Sequence, residues 1–423
     1  MSRLLFYLNV ITSVFCCSLG AQEYSISNIP DSLKQNANAI IRQFNTRIII
    51  QDNSSYILKI EKAVTVLNKA GDKFGNVHII QDKSNEVSIK HASVYNAKGY
   101  RIKSDPLLNV KPDVYYSTGQ NVVKDLHCYS VVLEDKVYPY TTSFLYEIKV
   151  NGTLNMPTWQ PIQDKFISMQ NANLSVEIKN DIGFNYHAGH SISEAEINHG
   201  KKSDTYSWFT GNWTATTNSI ALLFYPEIRI ALNNFEIHGE KGSLATWKDF
   251  GNWLFELNKD GYELPDELKE IVHDSADKYE DPHLKIKALY NFLKKDFRYV
   301  SIQLGIGGWK PQTTEFTFEK GYGDCKALSV LMQAMLREIG LPAYYCIVSS
   351  GRDNEQEIIF ENFVENRFNH VIVCAFIGTE VIWLECTSNS LEAGFLGDFT
   401  NNRWALLVDK DASRLVKTKV SEN

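Results

Sequence analysis

Three residues in the second half of the chain have types and neighbours suited to nucleophilic chemistry: Cys325, His370 and Glu385. Cys325 stands in "GYGDCKALSVLMQAMLREIGLPA", behind glycines 321 and 323 and beside Asp324, a ready helix cap. A thiol in the first turn of a helix meets unpaired N–H groups and the positive end of the dipole, both of which favour a thiolate. A small residue at a buried helix start is also ordinary packing. Downstream, "FNHVIVCAFIGTEVIWLECTSN" predicts a hairpin of strands 370–376 and 381–385 around Ile377-Gly378-Thr379-Glu380. With Gly378 and Thr379 at its centre, Phe376 faces Val381 and Ile372 faces Glu385. Side-chain alternation then places His370 and Glu385 on one face as diagonal neighbours. Singly, a histidine at a strand end reads as structural and a glutamate at a hairpin end as solvated. Jointly with the thiol they fit the roles of base and orienter to a nucleophile.

The elements that must position these groups form an α+β half. Helices are predicted over 246–258, 265–279 and 282–297, the last with Ile286, Leu289, Tyr290, Leu293 and Phe297 on one stripe. "FRYVSIQLGIGGWKPQ" reads as a strand entering a glycine-rich loop. The Cys325 helix follows, with Leu328, Leu331, Met332, Met335, Leu336 and Ile339 on its core face, and Gly340 and Pro342 end it. A strand over 343–349 precedes the hairpin. From Thr46 to Ile237, short β-branched and aromatic runs alternate with Asn, Asp and Gly, which predicts antiparallel strands in a β-sandwich. The change of texture between Ile237 and Ser243 divides the chain into a β-rich domain, 22–240, and a second domain, 241–423. The second is expected to fold alone when begun near Ser243.

The motifs "YGDCKALSVLMQAMLREIGLPA", "FNHVIV" and "WLECTS" together resemble the transglutaminase-like superfamily. That resemblance implies a papain-like fold with Cys, His and an acid in this order, here Cys325, His370 and Glu385. More narrowly, it resembles exported bacterial proteins in which a β-rich domain of unknown function precedes such a core. The acid of the superfamily is usually Asp, so Glu385 is one methylene longer. Members of the narrower group usually continue into a further C-terminal β-domain, whereas this sequence ends at Asn423. The implied chemistry is acyl transfer or hydrolysis on protein or peptide amides, through a thioester. The Cys325 N–H is one expected oxyanion donor, with Gln303 as the candidate second donor and Trp309 the alternative. The rival reading is a non-catalytic envelope protein that retains the triad and binds a partner or polysaccharide through its β-domain.

Composition bounds the remaining classes. The formal charge of −7 in 423 residues, without a long basic run, gives nucleic acid or an anionic membrane little to hold. Arg3, the apolar run Leu4 to Cys17 and the small residues to Ala21 predict a signal peptide over 1–21 and an exported, periplasmic or extracellular protein. The run is short for a membrane span, and no later run of about 18 apolar residues exists. Cys16 follows Phe15 and Cys17 follows Cys16, so neither has the small preceding residue of a lipid-modified cysteine. Of seven cysteines, Cys128, Cys325, Cys346, Cys374 and Cys386 lie beyond the leader, an odd set that leaves at least one thiol free. Cys346 and Cys374 read as buried strand residues, and a disulfide between them is the minor alternative. No cofactor or metal motif is read. His187 and His190 in "NYHAGH" have a chelating spacing without an acidic or Cys partner and read as a surface turn.

Overall fold

The structure is a computed structural model that describes residues 23–104, 113–114, 122–123, 127–189, 191–302, 305–351 and 359–419. The signal peptide expected over 1–21, His190 and Gln303 therefore lie outside the described residues. In the first half, isoleucine-rich Ala39–Asp52 folds back on Ser55–Val66, and the Asp52 carboxylate fixes the turn by accepting the Ser54 N–H at 2.8 Å. These two strands are central in an eight-stranded sheet. Its order is Glu196–His199, Ser203–Trp213, Ile167–Lys179, Ala39–Asp52, Ser55–Val66, Tyr140–Asn151, Asn85–Tyr95 and Arg101–Ser104. All neighbours are antiparallel except Ala39–Asp52 and Ile167–Lys179, which run parallel. The parallel pair departs from the expected wholly antiparallel domain. It is possible because the two strands are far apart in sequence, with no hairpin to force reversal.

One face of this sheet is covered by two smaller ones. Phe184–Ala188 pairs with Ile228–Leu232, and their side chains join Ile48, Ile50, Leu174 and Val176 in one cluster. Val77–Gln81 pairs with His127–Val131, over Ala92 and Phe144. The domain is thus a sandwich of unequal layers.

The second half opens with helices Trp247–Asn258, Asp266–Ala276 and Pro282–Asp296, capped by Thr246 and, at the third, Asp281. The helix Cys325–Glu338 lies against an antiparallel five-stranded sheet in the order Glu380–Leu384, His370–Ile377, Ala343–Val348, Trp404–Val408, Arg414–Lys417. Leu328, Leu331, Met332 and Met335 pack on Ala343, Val373, Ala375 and Leu384. The last two strands and the short helix Thr314–Lys320 have no counterpart in the sequence reading.

The halves meet through a shared core. Leu154, Ala231, Phe235 and Ile237 cluster with Phe250, Trp253, Tyr345, Ile347 and Leu406. A buried ion pair reinforces the junction: Arg229 Nη1 donates to Glu365 Oε1 at 2.8 Å, and the partly exposed Arg367 donates from Nε to Glu365 Oε2 at 2.8 Å. His187 lies in a strand rather than a surface turn, its ring 3.9 Å from that of Phe360 across the junction. This apolar junction argues against independent folding from Ser243.

Candidate active site

Cys325 is the first residue of its helix because Asp324 ends the preceding segment. The Asp324 carboxylate accepts the N–H groups of Lys326 and Ala327, both at 3.0 Å, and also pairs with the Lys326 ammonium. That cap leaves the Cys325 N–H untaken by Asp324, at the helix end where donors are in excess. At the other end, Gly340 at φ +75° and the Leu341 N–H to Leu336 carbonyl bond close the helix.

His370 begins its strand, and Glu385 directly follows the partner strand. The register runs Ile377 to Glu380, Phe376 to Val381 and Val373 to Leu384, which carries Glu385 alongside the start of the His370 strand. His370 Nε2 lies 3.0 and 3.1 Å from the two Glu385 carboxylate oxygens. The other ring nitrogen, Nδ1, is left free of Glu385, and His370 lines the same cleft as Cys325. The three residues are therefore brought together, and both His370 and Glu385 are buried.

Burial alone depresses the His370 pKa. The Glu385 charge, the neighbouring Cys325 and the hydrogen bond to Glu385 outweigh it and raise the pKa to about 10. Burial pushes the Glu385 carboxyl up, but the His370 charge and hydrogen bonds from His370 and Thr387 hold it below the usual range. Both shifts favour an imidazolium–carboxylate pair at neutral pH.

Supporting residues escaped the sequence reading. Thr387 donates to Glu385 Oε1 from its amide at 3.1 Å and its hydroxyl at 2.6 Å, and Thr400 reaches Oε2 at 3.4 Å. The Thr387 contact had a local signal, a hydroxyl two residues after a carboxylate; Thr400 had none. Phe399 lies edge-on to the His370 ring at 5.4 Å. Tyr290 donates to the Glu385 carbonyl at 2.7 Å, fixing the backbone behind the carboxylate. Trp309, the alternative oxyanion donor, lines the cleft with Cys325 and packs on Trp253 at 5.8 Å.

The other thiols stand apart from this chemistry. Cys346 and Cys374 are free and buried, their sulfurs 3.4 Å apart, well beyond a disulfide bond. Cys386 lies in the cluster beneath the Cys325 helix, and Cys128 in a strand of the first domain. Among the described residues no cluster of His, Cys, Asp or Glu could hold a metal, and no helix is long and apolar enough to cross a membrane.

Residues 269–388, which contain all three groups, match the transglutaminase-like superfamily. That segment is a transglutaminase-like core. Ahead of its transglutaminase-like core, residues 52–215 match a domain of unknown function that has a solved structure, DUF3857. A crystal structure of a candidate protease from Parabacteroides distasonis aligns over 90% of this chain and 72% of that one, with 13% identity and a TM-score of 0.64. At that identity the likeness shows a common fold, spanning both domains. A candidate cysteine protease from Cytophaga hutchinsonii aligns over 88% of this chain and 89% of that one at 10% identity, with a TM-score of 0.25, and carries no argument. No curated protein matches the chain. The superfamily places the transglutaminase-like core among cysteine enzymes.

Proposed function

We propose that the protein is an exported thiol enzyme that attacks amide bonds of proteins or peptides through Cys325, His370 and Glu385. The observation that carries this reading is the ring of His370, held by both Glu385 oxygens on Nε2 in the cleft that Cys325 also lines. In the reaction, His370 holds the proton given up by Cys325 as an imidazolium, and the thiolate sulfur bonds to the amide carbonyl carbon. The charge that develops on the carbonyl oxygen meets the Cys325 N–H, with Trp309 in the same cleft as a second donor. His370 returns its proton to the leaving amine, the C–N bond breaks, and a thioester remains. Water releases a carboxylic acid from it; a lysine amine instead forms a new amide. The charged Glu385 stabilises the imidazolium between these steps and holds the ring so that Nδ1 meets the sulfur. Export rests on the leader-like residues 1–21.

The test is iodoacetamide labelling at pH 7, followed by peptide mass analysis. Cys325 is expected to react faster than Cys128, the other thiol that is not fully buried, and Cys325→Ala is expected to abolish acylation by p-nitrophenyl acetate. Labelling of Cys325 no faster than of Cys128 would return the protein to the non-catalytic reading.

A further inference from the structure

The cleft that holds Cys325 and His370 has a volume of 680 Å³, within the range of roughly 300–1,000 Å³ usual for ligand sites. The transglutaminase-like core does not build it alone. Trp309, Tyr345 and Phe368 of the core give it an aromatic side, while Asp82, Lys83 and His238 of the β-rich half also line it.

Both β-rich contributions are held by local bonding. In the turn after Val77–Gln81, Asp82 Oδ1 accepts the Ser84 N–H at 2.7 Å, the Ser84 hydroxyl at 2.6 Å and the Asn85 amide at 3.2 Å. At the second contribution, Asn234–Ile237 pairs with Glu240–Ser243 so that Ile237 faces Glu240 and only His238 and Gly239 turn the chain. Their φ values, +50° and +88°, are those of a two-residue turn that ordinarily takes Asn-Gly. Histidine takes the first position, where its positive φ is tolerated, and its exposed side chain stands at the cleft.

We propose that this turn and hairpin tip are the specificity wall of the active site, so that the domain of unknown function grips the substrate. The occupant is an extended peptide segment. Its apolar side chains lie against Trp309 and Phe368 and its polar ones against Lys83 and His238, with the attacked carbonyl at Cys325. The assignment rests on the acyl-transfer reading for the last point alone.

The test uses the full chain and fluorescein-labelled casein, an unfolded protein with side chains of both kinds. Binding is read by anisotropy in the Cys325→Ala background. Turnover of casein is compared with acylation by p-nitrophenyl acetate, which is too small to need the wall. His238→Asn keeps the turn, since Asn suits a positive φ, and removes the imidazole; Lys83→Ser removes the ammonium. Each is expected to weaken casein binding about tenfold and to lower the casein-to-ester ratio by a similar factor through KM. Wild-type affinity and ratio in both variants, or no binding of casein to Cys325→Ala, would overturn the wall. Weakened binding in the variants of a wild type that neither reagent acylates would sustain the wall and defeat the acyl-transfer reading instead.

Discussion

At Glu385 a carboxylate with one methylene more than the usual acid reaches His370 with both oxygens. Glu385→Gln presents an amide, which stabilises no imidazolium and accepts the wrong tautomer, so single-turnover acylation of Cys325 should fall by about two to four orders of magnitude. Glu385→Asp keeps the charge at shorter reach and should retain measurable activity. Equal rates for wild type and Glu385→Gln would reduce the site to a dyad. The same pair sets a pH dependence. The folded His370 pKa of about 10 exceeds an unfolded value of roughly 6.5. Its contribution to stability is therefore complete below about pH 6.5 and lost as pH rises through about 10. Glu385 is depressed, so its share is present above the ordinary carboxyl range and lost as pH falls through the lowered value. Wild-type Tm should decline from pH 7 to 10. In Glu385→Gln the decline should be shallower, because the charge that raises His370 is gone; parallel curves by calorimetry would contradict this. The residues of the pair were legible because hairpin register is a local rule. Thr400 and Phe399 were not, since only the tertiary fold brings them to the site.

Among the elements, the helices with an apolar stripe and a cap were readable to within a few residues, as at Pro282–Asp296 and Cys325–Glu338. The seven-residue helix Thr314–Lys320 was too short to show a period. The strands Trp404–Val408 and Arg414–Lys417 were not legible, because a five-residue apolar run such as "WALLV" has no period that separates a buried strand from a helix segment. The turn between these strands meets the helix Trp247–Asn258 at Gly251. A Cβ added there would collide with the Cβ and hydroxyl of Ser413, whose hydroxyl accepts the Asp409 N–H at 2.9 Å and donates to the Asp409 carbonyl at 2.7 Å. Gly251→Ala should gain about 1 kcal/mol of helix propensity and lose about 1–3 kcal/mol to overpacking. The expected net result in urea unfolding is a lower midpoint; a raised midpoint would mean that the 409–413 turn yields freely.

For the whole molecule, the junction is the feature least visible in sequence. The β pattern does end near Ile237, which is why a boundary was expected there, yet Phe235 and Ile237 share a core with Trp253 and Tyr345. A fragment begun at Ser243 exposes that surface and should lack a cooperative thermal transition. In the full chain, Glu365→Ala removes the buried carboxylate that Arg229 and Arg367 share, while Glu227 still pairs with Arg229, and should cost about 1–3 kcal/mol. Unfolding of the full-length variant in guanidinium checks this, and a loss under about 1 kcal/mol would show that the ions are dispensable. The parallel pairing of Ala39–Asp52 with Ile167–Lys179 has a consequence in time. Ser55–Val66 can zip onto one edge of Ala39–Asp52 as soon as both are made. The other edge waits for a strand that begins roughly a hundred residues later. At about 5–20 residues per second of synthesis, an isoleucine-lined edge stays unpaired for on the order of 5–20 s, the interval in which the growing chain most needs a chaperone's cover.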